Sequence, residues 1–376
     1  MDAANRLLQQ ELSTAINEKK QQPALLICDE AFNCAVVAAL PLTELTLLSA
    51  RKDIADELLK LGANTVFSDY HLEASAGSFQ LCALRVGKEK LCVHRALNLC
   101  LGHLRPGGEL LLIGRKDDGI KAYVDKCKKQ LGMTGKIKKH GELYCATLEP
   151  GPDTLASSTE QRKHTHEHQH QHHKHAQLDD GPYETFRAVA ELELGGKRYQ
   201  IESKPGVFGW KKLDAGSLFL IDQLDIAGLS QLAQNGASAL DLGCGSGLLS
   251  FAADALGFKN IVASDNNAAA ISACQHNFQL NKINATCIAD DAGKNLNQQF
   301  DFIICNPPFH KGKAHSQELS ASFARAIADR LKQKGQAWLV CNAFVGIEKQ
   351  FKQLNMSSST VANNKSFKVL KVTHNT

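Results

Sequence analysis

The sequence predicts a duplicated α/β protein: two mostly parallel seven-stranded sheets in tandem, each flanked by helices. Three observations predict it. Short apolar runs alternate with helix-like stretches through both halves, as in strands joined by crossover helices. The order of those runs repeats in the second half. A tract rich in His and Gln, Lys163 to His175, separates the halves and offers nothing to a core. The expected organisation is one domain over 1–150, a His-rich linker over 151–180 and a second domain over 181–376. A length of 376 residues with 43% hydrophobic residues suits two such cores.

The first half reads strand "ALLIC", helix "FNCAVVAAL", strand "LTLLS", helix "DIADELLKLGA" and strand "TVFSD". The run "FQLCALRV" follows, then helix "LCVHRALNLCLGHL", strand "GELLLIG", helix "IKAYVDKCKKQLG" and the strands "GKIKKH" and "GELYCATLE". The second half reads strand "SALDL", helix "GLLSFAADALG", strand "NIVASD", helix "NAAAISACQHNFQLN", and strands "ATCIADD" and "FDFIICN". Helix "ELSASFARAIADRLKQKG", strand "QAWLVCN", helix "IEKQFKQLN" and strands "STVANN" and "SFKVLKVT" complete it. Even the connections correspond, "HLRPGGELLLIG" standing where "RLKQKGQAWLVC" stands.

The twelve cysteines show no CxxC spacing, and many lie in apolar runs. Buried free thiols in a reducing cytoplasm are expected. The net charge of +4 is compatible with a nucleic-acid partner without requiring one. No stretch is apolar enough to span a membrane, and the first twenty residues lack a signal-peptide core. The alternating His and Gln of the tract fix no coordination geometry, so no dedicated metal site is expected.

"ALDLGCGSGLLS" carries the cofactor chemistry. An apolar strand ends at Leu242, and Gly243, Gly245 and Gly247 with Cys244 turn into a helix. Glycines tolerate positive φ and let backbone approach a ligand closely. Dinucleotide folds share such loops, so the surrounding acids decide. Asp241 within the strand suits a ligand bearing an ammonium, such as the methionine part of S-adenosyl-L-methionine. Asp265 ends the next strand at the spacing for a ribose diol. Asp290 and Asp291 follow the third strand, where an adenine amino group can be bonded. A pyrophosphate would favour a helix N-terminus without nearby carboxylate.

"CNPPFHKG", Cys305 to Gly312, closes the fourth strand. Two adjacent prolines suit neither a central strand nor a helix interior. They stiffen the turn, leaving carbonyls and the Asn306 amide to bond outward.

"DLGCGSG", "SDNN" and "NPPF", in this order, resemble the class I S-adenosylmethionine-dependent methyltransferases, whose domains are Rossmann-like. The whole pattern is similar to the bacterial rRNA guanine-N2 methyltransferases, duplicated enzymes in which only the second domain binds cofactor. "PGVFGWKKLDAGSLFLID", "CNPPFHKG" and "VCNAF" resemble the small-subunit (16S) branch, while "NNKSFKVLK" and "ALLICDEAFN" lean towards the large-subunit (23S) branch. The chain departs from the family at Gly209, Trp210, Lys211 and Lys212, where Ser-Arg usually precedes the Gly-Leu-Asp run. The resemblance implies a cytoplasmic, monomeric enzyme acting on ribosomal RNA or a ribosomal subunit. It implies that Asp241, Gly243, Cys244, Gly245, Gly247, Asp265, Asn266, Asp290, Asp291 and Asn306 bind the cofactor. Asn306, Pro307 and Phe309 would act on the base, Phe309 by stacking. His310 is either a base contact or proton acceptor, or a solvent-facing loop residue. Lys311, Lys313, Lys365, Lys368 and Lys371 are candidate phosphate contacts, the last three being alternatively charges on a solvated strand face. Two alternatives remain: protein glutamine N5-methylation and a non-catalytic RNA-binding assembly factor. In the first half Leu26 faces Asp241, Cys28, Glu30 and Phe32 face the glycines, Ala50 faces Asp265, and Arg85, Val86 and Gly87 face Asn306 and the prolines. That half is expected to fold and to bind no cofactor.

Overall fold

The computed structural model describes residues 1–18, 20, 22–73, 78–151, 177–181, 183–308 and 313–375. The chain divides into two compact units, Met1–Tyr183 and Glu184–Thr376. Each contains a seven-stranded sheet. The His-rich tract lies outside the described residues. The stretch leading out of it belongs to the first unit. Leu178 is buried there, its N–H donating to Asn98 Oδ1 and its carbonyl accepting from Asn98 Nδ2, both at 2.8 Å. The division thus falls a few residues beyond the linker expected from composition.

In the first unit the strands are β1 Ala24–Cys28, β2 Leu45–Ser49, β3 Asn64–Phe67, β4 Phe79–Arg85, β5 Leu104–Arg115, β6 Met133–His140 and β7 Leu143–Pro150. They lie in the order β3-β2-β1-β4-β5-β7-β6. After a hairpin, β8 Arg187–Leu194 with β9 Lys197–Ser203, the second unit has β10 Ser238–Leu242, β11 Asn260–Asp265, β12 Ala285–Ala289 and β13 Phe300–Cys305. The strands β14 Leu331–Asn342, β15 Met356–Asn363 and β16 Phe367–His374 complete it. Its order, β12-β11-β10-β13-β14-β16-β15, repeats the first. Only the last two strands of each sheet join it antiparallel.

The central strands are buried on both faces, which is why they read as continuous apolar runs rather than alternating ones. In the second sheet Leu240, Leu242, Ile303 and Cys305 face one helical layer. Ala239, Phe302, Ile304 and Val340 face the other. Leu240 is wholly buried; truncating such a leucine to alanine costs roughly 2–5 kcal/mol.

Several elements differ from the sequence expectation. "FNCAVVAAL" forms only a 3-10 turn, Cys34–Val36. The helix leading into β14 stops at Arg330, because Leu331 already pairs with Phe300. Sheet pairing there overrides the helical propensity of "RLKQK". The helices Ala3–Ser13, Ala215–Asp222 and Ile226–Gln234 and the β8–β9 hairpin are additions.

Candidate active site

The sheet order reverses between β10 and β13: β11 and β12 extend to one side, β14 onwards to the other. In doubly wound sheets a crevice opens at this point, beyond the C-terminal strand ends. The register aligns those ends, Leu242 standing beside Ser264 and Cys305, and Asp265 beside Ala289. The glycine loop, Asp265, Asp290 and Asn306 are thereby gathered along one edge.

Gly243, Gly245 and Gly247 all adopt positive φ, at 80°, 54° and 93°. A Cβ at Gly245 would meet nothing within 4 Å, so that glycine borders open space. At Gly247 the reason is close packing: a Cβ would lie 3.1 Å from Cys274 Sγ. The N–H groups of Gly243 and Cys244 donate to the Ser264 carbonyl at 2.8 and 2.9 Å, tying the loop to β11. Cys244 packs into an apolar cluster with Phe251 and Cys274, which gives it a packing role beside its place in the loop.

Asp241 is 1% exposed. Its Oδ2 accepts from Ser250 Oγ at 2.7 Å, and its Oδ1 has no hydrogen-bond partner among the described residues. Burial pushes its pKa up to about 7, opposed by the Ser250 bonds and assisted by the charge of Asp265. A buried acid with an orphaned oxygen suits a cationic ligand group. The raised pKa has a stability consequence. The protonated form is favoured in the folded state, so the contribution is fully present below pH 4 and is lost as pH rises towards 7. Thermal unfolding of the ligand-free protein should therefore show Tm falling between about pH 4 and pH 7, with a smaller decline in Asp241→Asn. Equal slopes in the two proteins would contradict this.

Asp265 ends β11 with both oxygens engaged, Oδ2 by Gly245 N–H at 2.9 Å and Oδ1 by Asn267 N–H at 2.8 Å. These bonds orient the carboxylate and leave lone pairs for a diol. Asn266 donates to Asp291 Oδ1 at 3.2 Å, and Asp291 also pairs with Lys294. Asp290 is 1% exposed, one oxygen capping Asn295 N–H at 2.9 Å and the other unpartnered. The open glycine cradle and two buried orphan oxygens fit S-adenosylmethionine, with its ammonium, ribose and adenine.

Asn306 follows β13 directly. Its Nδ2 donates to Asp214 Oδ1 at 2.6 Å and to Ser217 Oγ at 2.9 Å. Both amide hydrogens are thereby used, and the amide orientation is fixed with the oxygen as its remaining acceptor. Asp214 caps the helix Ala215–Asp222, its Oδ1 also accepting from Ser217 N–H at 2.8 Å. Between them stands Gly216. A Cβ there would come within 3.1 Å of Asp214 Oδ1, 3.2 Å of the Phe367 ring and 3.4 Å of Asn306 Nδ2. A cavity of about 540 Å³ borders this corner, lined by Ala215, Phe219, Lys365 and Phe367 among others. Asp214 and Ser217 were not singled out from sequence. The Asp-x-x-Ser capping spacing of "DAGS" was the available clue.

Pro307 is buried and Pro308 exposed. Phe309, His310 and Lys311 lie outside the described residues, as does the side chain of Lys313. Of the remaining lysines, Lys368 is 7% exposed and paired with Glu348, so it is no phosphate contact. Lys371 places its ammonium 5.7 Å from the Trp338 ring centroid. Lys365 is exposed on the cavity rim.

The equivalent edge of the first unit is built from different chemistry. The registers equate Ala24 with Ala239 and Phe79 with Phe300, hence Leu26 with Asp241, Cys28 with Gly243 and Arg85 with Asn306. They equate Leu45 with Ile261, so Asp265 is faced by Ser49, one residue before the expected Ala50. Arg85 approaches Asp2 at 3.5 Å and Asp29 at 3.6 Å and donates to the Ala31 carbonyl at 3.2 Å. Asn5 of the N-terminal helix donates to the same carbonyl at 3.0 Å. Protein groups thus hold one another where the second unit presents its loop.

All twelve cysteines are free. Among the described residues no helix is long and apolar enough to cross a membrane, and no cluster of three or more His, Cys, Asp or Glu could hold a metal ion.

Comparison with known proteins agrees with this geometry. Residues 198–371 match the family model of the methyltransferase small domain. The chain is 29% identical to the ribosomal RNA small subunit methyltransferase C of Stutzerimonas stutzeri, over 72% of this chain and 71% of that protein. It is 27% identical to its namesake in Acinetobacter baumannii, over 90% and 91%. The solved structure of the Thermus (T. thermophilus) 16S rRNA N2 methyltransferase RsmC, in complex with AdoMet and guanosine, superposes with a TM-score of 0.78. That match covers 100% of this chain and 92% of that one at 24% identity, and shows a shared two-domain fold. The C-terminal unit thus matches the methyltransferase small domain, and the chain is an RsmC-like, S-adenosylmethionine-dependent methyltransferase.

Proposed function

We propose that the chain methylates the exocyclic N2 amino group of a guanine in 16S ribosomal RNA. The observation that carries this reading is the fixed amide of Asn306 beside a glycine-loop crevice. The N2 lone pair of guanine is delocalised into the ring, so the amine is a poor nucleophile. When bound, S-adenosylmethionine supplies a methyl group already activated by positive sulfur. The protein's task is placement and localisation of the lone pair more than strong base catalysis. Asn306 Oδ1 and the Pro307 carbonyl accept hydrogen bonds from the N2 amino group and favour a more tetrahedral nitrogen. Asp214, Ser217 and the two prolines hold these acceptors in advance, so little reorganisation accompanies reaction. As the N–C bond forms the methyl–sulfur bond would break, leaving the sulfur neutral, and the nitrogen, then cationic, would shed a proton to water. Phe309 stacks on the base, which must leave its helix or come from a single strand to reach the crevice.

In the same reading Asp241 meets the cofactor ammonium, Asp265 and Asn266 the ribose, and Asp290 and Asp291 the adenine. The first unit docks RNA and supports the second, without a cofactor of its own. Titration calorimetry on the full chain should return one S-adenosylmethionine site; two sites would overturn that assignment. Free thiols throughout suit a cytoplasmic enzyme, which we take to be a monomer. Incubation with methyl-labelled cofactor and ribosomal subunits tests the function. Label recovered as N2-methylguanosine in 16S rRNA is expected. Label in 23S rRNA, in protein or nowhere would overturn it.

A further inference from the structure

The segment Lys204–Leu213, "KPGVFGWKKL", joins β9 to Asp214 and has no role in the chemistry above. It is a strap with both ends fixed near the site. At one end Asn267, whose N–H bonds Asp265, donates its side-chain amide to the Gly206 carbonyl at 2.8 Å. At the other, Asp214 holds Asn306. Between them the chain turns at Gly206 and Gly209, with φ of 92° and 67°.

The strap sorts its side chains by chemistry. Val207 is buried against Ala269 and Ala273, with Phe186 and Trp210 packed alongside. Lys204 is 4% exposed, its ammonium 5.9 Å from the Phe186 ring. Outward go Phe208, which is 66% exposed, and Lys211 and Lys212. Two cations approach the Trp210 ring, the Lys211 ammonium at 5.1 Å and the guanidinium of exposed Arg187 at 5.8 Å. No acid occurs from Lys204 to Leu213.

We propose that this strap, with Arg187, docks the single-stranded RNA flanking the target guanine, Lys211, Lys212 and Arg187 meeting phosphates and Phe208 and Trp210 meeting unstacked bases. Cations interleaved with aromatic faces are what a strand with exposed phosphates and splayed bases requires. A guanine drawn out of its stack leaves such a strand at the mouth of the crevice. The inference rests on the reading of the chain as an RNA methyltransferase.

Fluorescence anisotropy with a labelled single-stranded RNA, measured on the full chain across a salt series, tests it. Lys211→Glu with Lys212→Glu should weaken binding about tenfold or more and flatten the slope of log Kd against log salt by about 1.4, two phosphates at ~0.7 each. Trp210→Leu should weaken binding about fivefold or more with the slope unchanged. Calorimetry should show unaltered cofactor affinity in these variants, which separates lost docking from misfolding. RNA affinity and salt slope equal to wild type in the double lysine variant would overturn the inference, as would a loss of RNA binding that occurs only together with loss of cofactor binding. If wild type methylates 16S rRNA and the variants do so with unchanged KM for RNA, this inference alone fails. If wild type methylates no RNA, the parent reading fails.

Discussion

Asn306→Ala should retain S-adenosylmethionine binding and lose about 10²–10³-fold in kcat, the usual scale for removing one preorganised polar group at a reacting centre. Cofactor affinity by calorimetry and single-turnover methylation check the two halves separately. The more telling variant is Asn306→Asp. Nδ2 donates to Asp214 Oδ1 at 2.6 Å, so an aspartate would put two carboxylates in contact. Two such groups cannot both ionise near neutral pH, and one takes up a proton. This variant should be nearly inactive at pH 8 and regain activity as pH falls and the shared proton restores the hydrogen bond. A flat profile at wild-type rate would show that the amide donors are not what orients residue 306.

Asp214→Ala should act through Asn306. Losing the helix cap at Ser217 N–H costs about 1 kcal/mol of stability. The Asn306 amide also loses its charged partner and can turn over. A fall of roughly 10–100-fold in kcat is expected, with cofactor affinity and KM for RNA little changed, as for lost positioning of a reacting group. Asp214→Asn, which keeps an acceptor oxygen and an effective cap, should recover most of both losses. Asp214→Ser, an equally good cap with a shorter reach, should recover stability without rate. If Asp214→Ser restores turnover as fully as Asp214→Asn, Asp214 serves only its helix.

The glycine loop, the three strands around it and the proline turn were readable because their signals are local. An apolar run ending in glycines at positive φ has few alternatives, and two prolines after "FIIC" must end a strand. The duplication was readable because buried parallel strands keep their apolar character after the ligand-facing residues change, as Leu26 for Asp241 and Arg85 for Asn306 illustrate. What escaped was non-local. The partners of Asn306 lie about ninety residues earlier in the chain, on a helix whose cap, not its periodicity, announced it. The helix Ala3–Ser13 likewise opens on a cap, Asp2 accepting from Asn5 N–H at 2.7 Å. Lys368 looked like one of several charges on a strand face. Its pairing with Glu348 across the fold withdraws it from solvent. The end of the helix at Arg330 was set by a strand partner, Phe300, that no reading of "RLKQKG" alone contains.

A structure of the full chain with guanosine and S-adenosylhomocysteine tests the core of the account most directly. The guanine N2 should lie within about 3 Å of both Asn306 Oδ1 and the Pro307 carbonyl, on the side of the turn facing the Gly245 loop. A guanine held by another edge, with N2 away from those oxygens, would contradict it.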